Sequence, residues 1–438
     1  MKRSKYESWS RIPRPKNAFA VAPNWRSDPL EGHDETTWIP FGQGRTYSDT
    51  SVNPSAGIID TSKLNRFIEF DPERGVLCCE SGVTFADILE LIVPHGWFLP
   101  VCPGTKSVSI GGTIGHDIHG KNQPSAGTIG CHVQRLELLR SSGERLLCSP
   151  DENRDLFRAT IGGLGLTGLI TWAELKLKPI TSAYFETQRV RCTSLDDFYE
   201  LARSSPDTYD LAWIHTFDHK NPGSKSIIIR GNHAEGSREE LAATAKPPKK
   251  LRVPSFVPPI LFNRVTMRVF STLYYNKQLK RTARSRMHWD SFLFPQDSSH
   301  NSNYLYGRRG IYGYQALIPP ESIHDAIPEL LERTSRPRCQ SLITVLKVFG
   351  KCKSPGMLSF SGPGVSIVCG FPNQGERTLK QLGELDRVVR EAGGLLYPAK
   401  DPRMPAQMFQ HSFPEWREFV RHVDPRFSSS FWRRVSNA

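Results

Sequence analysis

Apolar positions fall into a helical rhythm at 85–93, where Phe85, Ile88, Leu89 and Ile92 return to one face. Thr84 ahead of them, with Asp87 three residues on, supplies both halves of a capping box. The stretch GVLCCES at 75–81 reads as a strand running into that helix. HVQRLELLRSSGERLLCS predicts a hairpin turning at Ser142-Gly143. A short helix near 151–159 follows, then a strand over 169–178 with alternating polar and apolar positions. From about 181 the texture changes to spaced strands, SIIIRGN, GIYGYQALIP, SLITVLKVFG and GVSIVCGFP, with helices between them. In the helix expected over 376–392, Leu379, Leu382, Leu385 and Val389 form a core-facing stripe. Such a mixture predicts an α+β chain whose second half is an antiparallel sheet covered by helices on one face. Residues 1–35, polar and proline-rich, read as an arm lying on the surface.

Length refines this picture: 438 residues suit two or three domains, each with a proper core. Hydrophobic residues make up 38% and charged residues 23%, the balance of a globular chain, and no apolar run approaches the length of a membrane span. MKRSKYESWSRIPRPK at the N-terminus is basic but has no apolar core, so no secretory signal is read and a cytoplasmic location is expected. The nine cysteines are odd in number and lack CxxC spacing, which predicts reduced thiols.

Charge is distributed unevenly within a net of +13. From Lys246 to Trp289 there is no acidic residue but there are eleven Lys or Arg, interleaved with VPSFVPPILF and VFSTLYY. Nothing resembles a nucleic-acid-reading module, so no nucleic acid is expected as partner. An anionic membrane surface fits better, at about 1 kcal/mol per basic residue near lipid. Peripheral contact with the inner membrane surface through 246–289 is the reading, against the plainer one of a solvated basic face. The PPKK and VPP breaks suit a mobile, partly ordered segment.

Candidate chemistry concentrates in two glycine-bearing segments, PFGQGRTYSD at 40–49 and PGTKSVSIGGTIGHDIHGKN at 103–122. Glycines let backbone N–H groups approach a ligand, and successive N–H groups in such turns form anion-binding nests. Two nests on one domain suit the diphosphate of an extended cofactor. Neither segment fits the P-loop, and no GxGxxG opens a helix with an acid about twenty residues on.

These segments, with GGLGLTGLI at 162–170, resemble the FAD-binding half of the vanillyl-alcohol-oxidase superfamily, which carries a PCMH-type FAD-binding domain. Within it the likeness is greatest to the decaprenylphosphoryl-β-D-ribose 2′-oxidase group. It continues through AWIHTF at 212–217, RGNHA at 230–234, YGRRG at 306–310, YQ at 314–315, LKVFG at 346–350, LYPAKD at 396–401 and RRV at 433–435. The resemblance implies a two-subdomain FAD-binding domain over 36–180 and a substrate domain over 181–395 that includes 246–289. It also implies a C-terminal segment, 396–438, that returns to the FAD domain. FAD would lie against Gly42, Gln43, Gly44, Arg45, Thr46 and Tyr47 on one side. On the other come Gly104, Thr105, Ser109, Gly111, Gly112, Gly115, His116, Ile118 and His119, with Ile170 and Tyr397 completing the set. Arg45 stands where many relatives bond a His to the flavin, so FAD is expected to be non-covalent. Its guanidinium would face the diphosphate or make a structural salt bridge.

His116 and His119 in HDIH could be taken for a metal pair, but no further ligand stands at a typical spacing and no metal is expected. The resemblance instead sets His119-Gly120-Lys121 against the isoalloxazine, and puts His116 where the group often has Cys. Oxidising a hydroxyl requires a hydride to leave carbon and a proton to leave oxygen, and the protein must orient the substrate and take the proton. Lys400 is the first candidate base, then Tyr47 and His119, since burial draws a lysine toward neutrality. Lys121, Gln315, Lys347 and Val368 match positions facing the substrate, and two lysines suit a phosphate. Lys347, in VLKVF, could alternatively face solvent.

Val368 replaces a Cys of the mycobacterial enzymes, Gly370 an acid, Gly313 a Gln and Ser48 a Gly; Cys369 should point away from Val368. The implied activity is oxidation of a secondary hydroxyl on a polyprenyl-phosphate-linked pentose, giving a keto sugar. An NAD(P)H-dependent keto-sugar reductase would then complete an epimerisation. The alternatives are an oxygen-using oxidase of aldonolactones or free sugars, and a non-enzymatic basic binding protein.

Overall fold

The helix over 85–93 is present as Phe85–Ile92, closed by the reciprocal Thr84 and Asp87 cap, with its four apolar positions buried. The computed structural model describes residues 6–14, 19–30, 36–54, 56–204, 209–214, 225–242, 251–252, 264–300, 303–304, 307, 309–336 and 339–436. Much of the basic segment's first half (246–250 and 253–263), the HTF of AWIHTF and parts of YGRRG lie outside the described residues. Among the described residues, no helix is long and apolar enough to cross a membrane.

The chain is a mixed α+β structure with several sheets. Three parallel strands, Phe19–Val21, Gly57–Asp60 and Trp38–Phe41, make a small sheet in that order. Within residues 1–35, read as an arm lying on the surface, Phe19–Val21 is an edge strand, and Ser8, Ser10 and Arg11 are buried. Their own side chains supply the satisfaction that a polar stretch needs, as in the Ser8 and Ser10 hydroxyl pair at 3.0 Å.

A five-stranded antiparallel sheet runs Phe67–Asp71, Val76–Glu80, Leu169–Lys176, Val133–Leu139, Arg145–Cys148. Its hairpin turns at Gly143, whose φ of +88° asks for glycine. The strand expected over 169–178 ends at Lys176; Lys178–Pro179 leaves it to pair with Trp97–Phe98. The short helix forms as Arg154–Thr160.

An eight-stranded antiparallel sheet occupies the second half. Its order is Thr282–His288, Tyr184–Cys192, Ser226–His233, Tyr209–Ile214, Ile343–Phe349, Gly364–Pro372, Ile311–Ile318, Leu395–Leu396. Side-chain alternation divides its last strands cleanly. Tyr312, Tyr314, Ala316, Leu346, Ile367 and Cys369 belong to one hydrophobic core with Leu382 and Leu385 of the helix Glu376–Glu391. Leu317 and Phe349, on the opposite face, cluster instead with Phe360, Tyr397 and Ala399. Gln315 pairs across with Val368, and Lys347 with Ser366, on this second face.

The core stripe expected in the helix over 376–392 needs one correction. Leu379 is 40% exposed, while Thr378, Gln381, Leu382, Leu385, Val388 and Val389 are buried. At about 100° per residue, Leu379 sits roughly 120° round from the middle of that set.

The last forty residues pack back on the beginning of the chain. Phe427 bridges to Trp38, and Arg434 forms a bidentate pair with Asp49 at 2.6 and 2.9 Å.

Candidate active site

The two glycine segments meet directly. A Cβ on Gly42 would lie 2.2 Å from Ser109 Oγ and 3.5 Å from Ser109 Cβ, so the two turns pack closely here. Arg45 Nε donates to the Ser107 carbonyl at 3.1 Å, and its guanidinium lies 4.9 Å from the Trp9 ring. Arg45 thereby ties one segment to the other.

The second segment continues into the short helix Ile110–Gly115. Gly111 packs on Ser81, while nothing lies within 4 Å of a Cβ on Gly104 and only Ser109 Oγ, at 3.4 Å, near one on Gly112. Among the described residues, the backbone N–H groups of Gln43, Gly44, Arg45, Gly104 and Thr105 have no hydrogen-bond partner. Paired sets of free amide donors over an open glycine surface fit the anionic diphosphate of FAD. The Thr105 hydroxyl is engaged elsewhere, donating to Asp297 at 2.6 Å, and Lys106 N–H donates to the same carboxylate at 2.9 Å. Behind the helix, Gly115 accepts from Leu164 N–H at 2.7 Å, and Ile118 accepts from Ile129 N–H at 2.9 Å. Ile170 is buried in the five-stranded sheet's core.

The turn after this helix is held by Asp117, at φ +40°. One carboxylate oxygen accepts Gly130 N–H at 2.9 Å; the other accepts the Ser354 and Ser359 hydroxyls. Burial raises the Asp117 pKa, partly offset by those donors. His116 Nδ1 lies 2.9 Å from the Gly112 carbonyl, so that nitrogen carries the proton and Nε2 accepts from Thr50 at 2.9 Å. Burial, more than the nearby Lys400, lowers the His116 pKa. Thr50 also meets Thr46 and Ser48, and Thr46 Oγ1 and Tyr47 N–H both donate to the Ala399 carbonyl at 3.1 and 2.9 Å. Tyr397 OH donates to the His116 carbonyl at 2.9 Å. This weave delivers Lys400, whose Nζ is 4.0 Å from the Tyr47 ring centroid.

His119 is the centre of the constellation. Gln315 Nε2 donates to its Nε2 at 2.9 Å and to Ser366 Oγ at 3.0 Å. Phe349, Tyr397 and Phe360 surround the ring at 4.8, 5.2 and 5.7 Å. Burial first, then Lys347 and Lys400, holds its pKa well below the ordinary imidazole value. A neutral ring with Nε2 accepting carries its proton on Nδ1, which is buried and has no partner among the described residues. Such an orphan donor suits a flavin or substrate oxygen at this wall.

Three lysines converge here from three elements. Burial and then Lys347 push Lys400 down to about 7, and burial pushes Lys347 down to about 8. Lys121 is likewise lowered to about 7, first by burial and then by Lys347. Its Nζ donates to the carbonyls of Phe292 and Leu293 at 3.2 and 2.7 Å, so it anchors the helix Trp289–Leu293 while charging the site. Tyr47 moves the other way: burial raises its phenol, against a hydrogen bond with Trp9 and the field of Arg45. A lysine near neutrality is the better proton acceptor of the two. Val368 is partly exposed beside Gln315, and Cys369 lies on the helix-covered face with Thr344.

Sequence reasoning named Tyr397 but passed over Trp9, Asp297, Thr50, Ser366 and the two rings, Phe349 and Phe360, that surround His119 with it. Of these, Phe349 carried a signal, through LKVFG. The others sit in stretches with no motif, and become visible when strand register is known.

Known proteins place this site in context. A family model described as an FAD binding domain matches residues 32–149. Decaprenylphosphoryl-β-D-ribose oxidase of Mycolicibacterium smegmatis is 34% identical over 412 residues, 91% of this chain and 88% of that protein. An uncharacterized protein of Streptomyces coelicolor, encoded in the mprA 5′ region, is 29% identical over 374 residues, 81% of this chain and 100% of that one. A putative D-arabinono-1,4-lactone oxidase of Neurospora crassa is 29% identical over only 153 residues, 35% of this chain and 27% of that protein. The chain is thus a member of the vanillyl-alcohol-oxidase superfamily, an FAD-dependent oxidoreductase with a PCMH-type FAD-binding domain, in the family of decaprenylphosphoryl-β-D-ribose oxidase.

Proposed function

We propose that the chain oxidises a secondary hydroxyl of a polyprenyl-phosphate-linked pentose to a keto sugar, as the first half of an epimerisation. The observation that carries this reading is the convergence of Lys121, Lys347 and Lys400 on the wall formed by His119 and Gln315. Positive charge gathered away from water suits a phosphorylated substrate, and a neutral amine suits proton removal. Likeness to decaprenylphosphoryl-β-D-ribose oxidase along 91% of the chain supports the substrate class.

When bound, FAD supplies the acceptor for the two electrons that leave the carbinol carbon. Lys400, as amine, takes the hydroxyl proton. Lys347 and Lys121 hold the phosphate's field in place, and Gln315 fixes His119 as a donor with one tautomer. Arg45 cannot bond covalently to the flavin, so FAD is held non-covalently by the two glycine segments. The keto sugar leaves for an NAD(P)H-dependent reductase.

The helix Arg264–Asn276 gives the lipid-linked substrate a route. Val265, Val269 and Leu273 recur at helical spacing along one side, and Phe270 is exposed beside them. Exposed Arg268, Lys277 and Lys280 flank this row, which suits an anionic lipid surface.

Anaerobic stopped-flow spectroscopy with a polyprenylphosphoryl ribose, and separately with free aldonolactones, tests the reading. Fast loss of flavin absorbance with the lipid-linked sugar alone is expected. Bleaching by the free lactones instead would move the chain to aldonolactone oxidation, the reading favoured by its 153-residue match to a putative D-arabinono-1,4-lactone oxidase.

A further inference from the structure

Nine cysteines are present, and seven of them are buried; Cys131 and Cys352 are the two that are partly exposed. These two face each other. Their Sγ atoms are 3.8 Å apart although the residues are 221 positions apart in the chain. Both sulfurs gather over Gly127, where a Cβ would lie 2.7 Å from Cys352 Sγ and 3.0 Å from Cys131 Sγ. Glycine at φ +66° leaves the space in which the two thiols meet.

Their positions straddle the candidate active site. Cys131 lies in the turn Ile129–His132, whose Gly130 N–H is held by Asp117, two residues before His119. Cys352 follows the strand that carries Lys347 and Phe349, and Phe349 packs on the His119 ring. Ser354, two residues further, donates to Asp117 from the other side. A bond between the sulfurs would join the wall bearing His119 to the wall bearing Lys347.

We propose that Cys131 and Cys352 form a reversible disulfide that clamps the two walls of the active site in response to peroxide. Contacting sulfurs need side-chain rotation to close to the roughly 2.05 Å of a disulfide. Burial raises the Cys131 thiol to about 11, with smaller contributions from Cys352 and Asp117, so Cys131 is a poor first target. Peroxide oxidises the Cys352 thiol to a sulfenic acid and releases one water. The Cys131 sulfur then attacks that sulfur, forming the S–S bond and releasing a second water. Two thiols have lost two electrons and two protons, and one peroxide has become two waters.

The test uses the FAD-loaded protein with stoichiometric hydrogen peroxide, read by thiol titration after denaturation and by non-reducing peptide mapping. Seven of nine thiols should remain, with one cross-linked peptide pair joining Cys131 to Cys352, and a thiol reductant should restore all nine. In Cys131→Ser and in Cys352→Ser the cross-link should be absent. Retention of all nine thiols, or a cross-link between other cysteines, overturns the proposal. Mapping the unmodified protein needs no variant to fold, and neither readout depends on which sugar is oxidised.

Discussion

Lys400 shows how much a single side chain's setting changes its chemistry. An exposed lysine stays charged far above neutrality, whereas burial beside Lys347 brings this one to about 7. Lys400→Met should retain FAD, whose segments it does not build, while slowing substrate-driven bleaching on the order of 10²- to 10⁴-fold. Bleaching at the original rate in that variant would remove Lys400 from proton transfer. The same values set a pH dependence. Lys400 accepts a proton only as the amine, so flavin reduction should rise as pH passes about 7. Lys121 and Lys347 attract phosphate only as ammonium groups, so affinity should fall as pH passes about 7 and further as it passes about 8. The kcat/KM for the phosphorylated substrate should therefore peak between those values, in steady-state rates taken across the range. A profile without a falling alkaline limb would free Lys347 from substrate binding.

At the scale of elements, strand alternation is what sorts Lys347 from a solvent-facing charge. In VLKVF its neighbours Leu346 and Phe349 go to separate clusters, and Lys347 shares the site face with Gln315 and Val368. Gly313 stands on that face too, at the closest approach of three segments. A Cβ there would lie 2.8 Å from the Lys400 carbonyl and 3.0 Å from Tyr47 Cδ1. Gly313→Ala should push the Tyr397–Lys400 turn off the strand, lowering the bleaching rate more than FAD retention. Titration of apoprotein with FAD, beside stopped-flow reduction, separates the two; an unaltered rate would show that the turn gives way without cost.

For the whole molecule, the sharpest asymmetry is the exposed apolar row on Arg264–Asn276 within a run of basic residues. Not all of that charge is free to face a membrane, because Arg281 pairs with Asp197 and Arg286 with Glu240. Exposed Arg268, Lys277 and Lys280 still flank Val269 and Leu273, which are 53% and 66% exposed. Val269→Asp with Leu273→Asp should leave folding intact and weaken co-sedimentation with anionic vesicles. Water-soluble substrates should be turned over as before. Equal binding to vesicles by the variant would sink the membrane part of the proposed function.

Elements were legible because their causes are local. The Thr84 and Asp87 cap, the Ser142-Gly143 turn and the alternating runs of the second half each depend on neighbours a few residues away. The glycine segments and LYPAKD were legible as motifs, which located the FAD half and Lys400. Leu379 shows the limit even there, since an apolar residue in a helix still needs a partner surface to be buried. The site itself depends on distances in sequence that no local rule spans. His119 meets Gln315 across 196 residues, Tyr397 reaches His116 across 281, and Thr46 holds Ala399 across 353. Desolvation of the lysines, the neutrality of His119 and the meeting of Cys131 with Cys352 follow from those contacts. A residue's charge and reactivity are set by what excludes water around it, and that is a property of the packed chain, whereas the tendency to turn, coil or extend resides in the residues themselves.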